Sequence, residues 1–218
     1  LTVFPGNEVP IAVLDNGQFL FNSNIGADAS YAGFPGEPQL FLSDTTGKRP
    51  ILASSIYAPA ISVNSKGTVI YEDYKGYEDP FRKHHTSSVT RDIWEYIPAP
   101  GKSSSFSING KGTFKKLSSY IGEDRNPVFA ADGDTFYYLS EQDGKTSNIY
   151  KSSLSAPDKY TQLTFETKNP VRYLSVSDEG TLSYSYNGEL YTLKEGSQTH
   201  KVAITAYSDE SEKEINRM

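Results

Sequence analysis

The sequence has no cysteine and only one methionine, one tryptophan and three histidines among its 218 residues. Without cysteine there can be no disulfide, no thiolate metal ligand and no thiol nucleophile. Acidic residues outnumber basic ones by 27 to 21, so the formal net charge is -6, and the pI is about 5.1. A nucleic-acid groove needs clustered Lys and Arg, and no apolar run approaches the roughly 20 residues of a membrane-spanning helix. We therefore expect neither a nucleic-acid partner nor a membrane span.

Aromatic residues and turn formers are abundant. The chain has 16 Tyr, 11 Phe, 17 Gly and 12 Pro, a composition that favours strands and turns over helices. It begins at Leu1 without an initiator methionine or a signal segment, and residues 208–218 form a charged run. We therefore expect a piece of a longer protein, with 208–218 as a tail or the start of a linker.

Four segments share one pattern: a short apolar strand, a turn with Asp or Asn and Gly, and a second, aromatic strand. They read VPIAVLDNGQFLFNSN, APAISVNSKGTVIYED, NPVFAADGDTFYYLSE and VRYLSVSDEGTLSYSY, with turn glycines Gly17, Gly67, Gly133 and Gly180. Glycine supplies the positive φ that tight hairpin turns require. A third strand follows in each repeat (PQLFLSD, RDIWEYI, SNIYKSS, ELYTLKE), and then a fourth (KRPILAS, FKKLSSY, YTQLTFE, HKVAITA).

A four-stranded meander that recurs every 40 to 50 residues is typical of a β-propeller blade. The turn glycines lie 50, 66 and 47 residues apart, so the second blade carries an insertion. A β-sandwich would also show alternating strands, but it does not explain the fourfold recurrence. We predict an all-β propeller segment over 1–207, with blades at about 7–55, 56–121, 122–167 and 168–207, as part of a larger ring.

Two sets of residues resemble a known family. The stretch RNPVFAADGDTFYYLSEQDGKTSNIY (125–150) is similar to TolB-type and tricorn-type propeller repeats. YEDPFRKHHTSSVTRDIWEY (77–96), with GEDRNPVF and YLSEQDG, resembles the N-terminal propeller of bacterial tricorn-like proteases. The resemblance extends from about Leu1 to Ile204.

In that family the catalytic serine lies in a C-terminal peptidase domain, and no residue of this chain matches its motifs. The resemblance implies a non-catalytic scaffold or gate for peptide substrates, without a cofactor. Its partners would be a peptide or the peptidase domain of the same polypeptide, with a homo-oligomer as a further option, and its compartment the periplasm. Two alternatives stay open: a free-standing TolB-like propeller that binds proteins in the bacterial envelope, and a glycan hydrolase with two carboxylates across a central pocket.

The insertion holds the adjacent histidines His84 and His85. Neighbouring side chains on a strand point to opposite faces, and zinc needs three or four ligands. The remaining histidine, His200, belongs to another blade, and no G-x-S-x-G nucleophile motif is present. We therefore expect neither a metal site nor a catalytic dyad here.

The same insertion forms a local cationic cluster in an acidic protein, comprising Arg82, Lys83, His84, His85 and Arg91. Such a cluster can hold a peptide carboxylate through charge-assisted hydrogen bonds, so these are the candidate binding residues. The structural alternative is that Arg82 and Arg91 pair with Glu78, Asp79 and Asp92 and attach the insertion to its blade.

Other polar motifs have structural interpretations. Asp132, Asp134 and Asp178 lie in turns and fall short of a calcium-loop pattern. GEDRNP suggests an ion pair of Arg125 with Glu123 or Asp124. We expect the Ser- and Gly-rich segment 102–112 to be a flexible loop, and Trp94 to pack between blades.

Overall fold

In a computed structural model, the structure describes residues 6–14, 16–25, 38–77, 79, 82–100, 106–108 and 111–205. Within these ranges four sheets of four antiparallel strands follow chain order. The strands are β1 Glu8–Val13, β2 Phe19–Ser23, β3 Gln39–Ser43 and β4 Ile51–Ser54; β5 Ile61–Val63, β6 Val69–Glu72, β7 Ile93–Ile97 and β8 Thr113–Lys116; β9 Asp124–Phe129, β10 Thr135–Ser140, β11 Asn148–Ser153 and β12 Thr161–Gln162; β13 Arg172–Val176, β14 Thr181–Tyr186, β15 Glu189–Lys194 and β16 His200–Lys201. The predicted all-β propeller of four-stranded blades is confirmed. The predicted tail 208–218 lies outside the described residues.

The hairpin turns between first and second strands have the predicted chemistry. The four turn glycines have φ between +68° and +79°. Gly133 shows why a side chain is excluded, because a Cβ there would strain the backbone and lie 3.3 Å from Cβ of Asn64 in the preceding blade. The carbonyl of Gly133 also accepts a hydrogen bond of 2.8 Å from Asn64 Nδ2. The glycine therefore serves both the turn and the contact between blades.

Each interior blade is covered on both faces because successive strand residues point to opposite sides. Tyr71 packs toward the first blade, whereas its neighbour Ile70 packs toward the third. Phe136 and Tyr137 divide in the same way between the second and fourth blades. Trp94 packs against the cluster shared by the first two blades, as predicted. The core is thus a row of three apolar clusters, one at each blade junction.

An asparagine side chain crosses each of the three junctions. Asn22 Nδ2 donates to the carbonyl of Ala58 over 2.9 Å, and Asn64 makes the bond to Gly133 described above. Asn126 binds the inner strand of the fourth blade twice: its Nδ2 donates to the Leu174 carbonyl, and its Oδ1 accepts from the Leu174 N–H, both at 3.0 Å. These bonds satisfy backbone groups that packing alone would leave buried and unpaired.

The SNIY motif has a local structural role. Asn148 is fully buried, and its Oδ1 accepts hydrogen bonds from Glu166 N and Thr164 Oγ1. Its Nδ2 donates to the carbonyls of Glu166 and Thr146. The side chain therefore fixes the chain that leaves the short outer strand β12.

One part of the Ser- and Gly-rich segment is packed rather than loose. Ile108 is buried, and its N–H donates to the carbonyl of Ala53 on β4 over 3.0 Å. Phe106 packs against the same cluster as Ile108. The prediction of a flexible loop was therefore wrong at these positions, which close over the outer strand of the first blade. Residues 101–105 and 109–110 lie outside the described residues.

No helix in the part of the chain that the structure describes is long and apolar enough to span a bilayer.

Two substitutions of Asn126 separate the contribution of its side-chain hydrogen bonds from the contribution of its tolerance for a positive φ. Asn126→Gly tolerates the positive φ of 52° but loses both bonds to Leu174, so we expect a loss of about 1–3 kcal/mol in the free energy of unfolding. Asn126→Ala should cost about 1 kcal/mol more, because alanine is strained at this φ. Urea unfolding measures both values, and hydrogen exchange should show a faster Leu174 amide.

The matched control is Asn187→Gly, at a φ of 51° in the exposed β14–β15 turn. Its Oδ1 accepts one exposed hydrogen bond from Asn169 Nδ2, so the substitution should change the free energy of unfolding by only about 0.5 kcal/mol. Equal losses at both positions would contradict the junction role of Asn126.

Candidate functional site

The innermost strands of the four blades surround a cavity of about 660 Å³. Its walls include one proline from or just before each inner strand, and seven charged side chains from the strands, from residues that flank them and from the insertion. The prolines are Pro10, Pro59, Pro127 and Pro170, and the charged residues are Glu72, Arg82, Lys83, Glu123, Arg125, Glu141 and Arg172. Cations outnumber carboxylates by one on this wall, in a chain that is acidic overall.

The insertion between β6 and β7, residues 73–92, crosses the third blade. The backbone N–H of His84 donates to Oε2 of buried Glu141 over 2.6 Å, and its ring Nδ1 lies 3.8 Å from the same oxygen. Lys83 Nζ donates to the carbonyl of Lys168, between the third and fourth blades, over 2.5 Å. These contacts place Arg82 and Lys83 on the cavity wall.

The structure separates the five candidate binding residues into two groups. Arg82 and Lys83 are exposed and line the cavity, while His84 is half-exposed beside them and His85 is half-buried. Arg91 is only 8% exposed, so it lies inside the wall at the base of the insertion. The sequence cluster is therefore a cationic cavity wall with a buried arginine behind it.

Arg91 is held by Glu72, whereas the sequence suggested that Arg82 and Arg91 pair with Glu78, Asp79 and Asp92. Arg91 Nη1 lies 2.5 Å from Glu72 Oε1, and its guanidinium lies 5.2 Å from the ring centre of Tyr74. Glu72 Oε2 accepts the N–H of Asn126 over 3.0 Å. Burial raises the pKa of Glu72, and the charges of Arg91 and Arg125 oppose that rise. For Arg91, the expected pairing with Asp79 or Asp92 was wrong, because Glu72, on the preceding strand, is the acid that the fold buries beside it.

Asp92 has a different set of partners at the base of the insertion. Its Oδ2 lies 2.5 Å from Lys75 Nζ and 2.8 Å from Lys116 Nζ. Asp73 accepts hydrogen bonds from Trp94 Nε1 and from the N–H of Asp92. Ion pairs do attach the insertion to its blade, although through Lys75 and Lys116. Glu78 lies outside the described residues.

The predicted ion pair in GEDRNP is confirmed, since Arg125 Nε lies 2.6 Å from Glu123 Oε2. Arg172 is the corresponding residue of the next inner strand. In the strand register, Arg125 lies opposite Leu139 of β10, and Arg172 lies opposite Ser185 of β14. A β-bulge follows each arginine. Neither Arg125 nor Arg172 was among the binding candidates predicted from the sequence. Both arginines lie eight residues before the turn glycine of their repeat, Gly133 or Gly180, so superposing the repeats on these glycines shows that the two positions are equivalent.

Asp124 is a buried acid next to this wall. It is 1% exposed, and no described residue makes a well-formed hydrogen bond to either carboxylate oxygen. Burial raises its pKa to about 7, an effect that nearby Ser140, Ser118 and Lys116 counter only in part and that Asp92 reinforces. The side chain therefore takes up a proton near neutral pH.

The turn aspartates act within their hairpins. Asp132 Oδ1 accepts hydrogen bonds from the N–H groups of Asp134 and Thr135. The carboxylate of Asp134 accepts hydrogen bonds from the N–H and the hydroxyl of Ser155. Across the described ranges, no group of three or more His, Asp or Glu side chains is placed to hold a metal ion.

Comparison with known proteins supports the fold. No family model matches the sequence, and no curated protein matches it. Among solved structures, a TolB-type protein from Agrobacterium tumefaciens has a TM-score of 0.62 at 13% identity, over 90% of this chain and 64% of that chain. TolB from Acinetobacter baumannii has a TM-score of 0.61 at 14% identity, over 91% of this chain and 44% of that chain.

A prolyl endopeptidase structure is also similar, with a TM-score of 0.57 at 13% identity over 91% of this chain and 28% of that chain. The chain therefore spans less than two thirds of the proteins it resembles. At these identities the likeness shows that the chain has the propeller fold of TolB and peptidase propeller domains.

Asp124→Asn should change how stability depends on pH. The pKa of Asp124 is raised on folding, so its protonation favours the folded state at low pH and this contribution is lost as pH rises through about 7. We expect the Asn variant to gain about 1–3 kcal/mol over the wild type at pH 8, and less at pH 5. Guanidinium unfolding at several pH values measures the difference, with exposed Asp158→Asn as the charge-matched control. A difference that does not vary with pH would contradict the assignment.

Arg91→Met should destabilise the protein by about 3–5 kcal/mol, because it leaves the buried Glu72 carboxylate without its cation. A variant with both Glu72→Met and Arg91→Met should lose much less, since it removes both charges. Chemical unfolding of the two single variants and the double variant gives the coupling energy. Additive losses would show that the two charges do not depend on each other.

Proposed function

We propose that this chain is a non-catalytic propeller region of a tricorn-like serine peptidase, in which it acts as a scaffold or gate for peptide substrates. The observation that carries the proposal is the cationic wall of the central cavity, where Arg82 and Lys83 face the same space as Arg125 and Arg172. A peptide carboxylate or an acidic side chain is the ligand that such a wall attracts.

The carboxylates of the cavity favour binding over hydrolysis. Glu72 is paired with Arg91, Glu123 with Arg125, and Glu141 accepts the N–H of His84. A glycan hydrolase needs one carboxylic acid and one carboxylate free to act on the bound substrate. Since all three glutamates already bind protein groups, a role in glycan hydrolysis is not proposed.

The insertion supports the role of a gate. Its middle part rests on the third blade through Glu141 and Lys168 and borders the cavity, while its base is held by buried ion pairs. A segment that is fixed at its base and rests on the third blade at the border of the cavity is placed to control the entry of an extended peptide. His84 and His85 follow Arg82 and Lys83 in this middle part, so we include all four residues in the proposed binding region, with Arg91 buried behind it as its support.

The fold is compatible with a second function. The TolB structures share the propeller at 13–14% identity, and a TolB-like propeller that binds folded proteins would use the same architecture. The cations line the cavity between the inner strands rather than an outer face of a blade, which favours an extended peptide over a folded partner.

Binding of a fluorescent, unstructured peptide of about 12 residues with a free carboxyl terminus tests the proposal by anisotropy. We expect the Arg82→Glu/Lys83→Glu variant to bind at least ~10-fold more weakly than the wild type, an effect of about 1.4 kcal/mol. The control is Lys48→Glu/Lys66→Glu, which makes the same charge change in turns at the other end of the blades. It should bind like the wild type.

Mass spectrometry of the same mixtures should show an intact peptide. Equal binding by the two charge-reversal variants would contradict the cavity as the binding site. Cleavage by the purified chain would contradict the non-catalytic role.

A further inference from the structure

Tyr173 is the most unusual side chain of the inner strands. It lines the cavity from β13 but is 75% exposed. Its backbone has a φ of +55°, a conformation that costs a bulky residue roughly 1–2 kcal/mol. Strain of this kind persists where the surrounding structure enforces it, and it is concentrated at ligand-binding positions.

The preceding blade shows what this position does when it serves the fold. Asn126 is the equivalent residue, since each follows the arginine at the start of its bulge, and its φ is +52°. Asparagine tolerates this φ, and the Asn126 side chain makes both bonds to Leu174. Tyr173 is poorly suited to the backbone conformation, and its hydroxyl makes no hydrogen bond to another described residue. Its ring therefore contributes little to the fold that would offset the strain.

The surroundings of Tyr173 define the ligand chemistry. Pro170 and Arg172 lie on the same stretch of cavity wall, and Arg82 and Lys83 line the same cavity. Proline rings offer apolar surface without N–H donors, and a tyrosine ring packs well against apolar and aromatic groups. An apolar surface thus adjoins cations within one cavity.

We infer that Tyr173 forms an apolar subsite that selects peptides with a nonpolar residue beside a free carboxylate. The nonpolar side chain packs against the Tyr173 ring and the Pro170 ring, and the carboxylate faces Arg172 and the cations of the insertion. This inference rests on the proposed function, because it assigns a substrate class to the same cavity. Tyr173 acts here as a specificity-determining residue.

Three fluorescent peptides of one sequence test the inference. They end in Phe with a free carboxylate, in Ser with a free carboxylate, and in Phe amide. For the wild type we expect the Phe acid to bind about 10-fold more tightly than the Ser acid, and the amide to bind more weakly than the Phe acid. Tyr173→Asn, the residue found at the equivalent place in the third blade, should lose the preference for Phe over Ser and leave the Ser acid unaffected. Tyr173→Phe should retain the preference.

The stability of the Tyr173→Asn variant also tests whether the backbone at this position is strained. Because asparagine suits a positive φ, Tyr173→Asn should fold with an unchanged or higher Tm, so a changed preference cannot come from unfolding. Retention of the preference by Tyr173→Asn overturns the subsite. Equal binding of the Phe and Ser acids by the wild type also overturns it, while the proposed function stands. Absence of binding by all three peptides overturns both.

Discussion

The carboxylate of Glu72 is buried where the second and third blades meet, and a buried charge is tolerated only with close partners. One partner is Arg91, which ends the insertion, and the other is the N–H of Asn126 in the next inner strand. Asn126 in turn holds the backbone of Leu174. A single line of polar contacts therefore joins the base of the insertion to the inner strands of the third and fourth blades. The cavity wall is built on this line.

This arrangement explains why the cations of one short segment have different roles. Arg91 is immobilised behind the wall, where its charge compensates Glu72. Arg82 and Lys83 lie in the middle of the insertion, where the segment rests on Glu141 and Lys168 and borders the cavity. The structural and the binding interpretations of the cationic cluster thus apply to different members of it. The inner strands complete the wall with their prolines and with Arg125 and Arg172.

Local patterns were enough to predict the strands and the blades. The turns at Gly17, Gly67, Gly133 and Gly180 require positive φ, and the alternation along the second strand of each repeat indicates a sheet with two distinct faces. The pairing of Arg91 could not be predicted in this way, because Glu72 becomes its neighbour only when β6 and β7 pair. The burial of Ile108 depends on the adjacent blade, and the cavity positions of Arg172 and Tyr173 depend on a bulge that shifts the register. The features that could not be predicted all depend on contacts between segments that are distant in sequence, and a local sequence pattern carries no information about such contacts.

The measurement that tests the account most directly is hydrogen exchange of the whole chain, with and without a saturating peptide that has a free carboxyl terminus. The account predicts slower exchange in the insertion around residues 82–86 and in the inner strands β9 and β13, because these segments form the cavity wall. The outer strands β4 and β12 and the hairpin turns at the other end of the blades should be unaffected. Protection of the outer strands or of those turns, with none in the insertion, would contradict a central peptide-binding cavity.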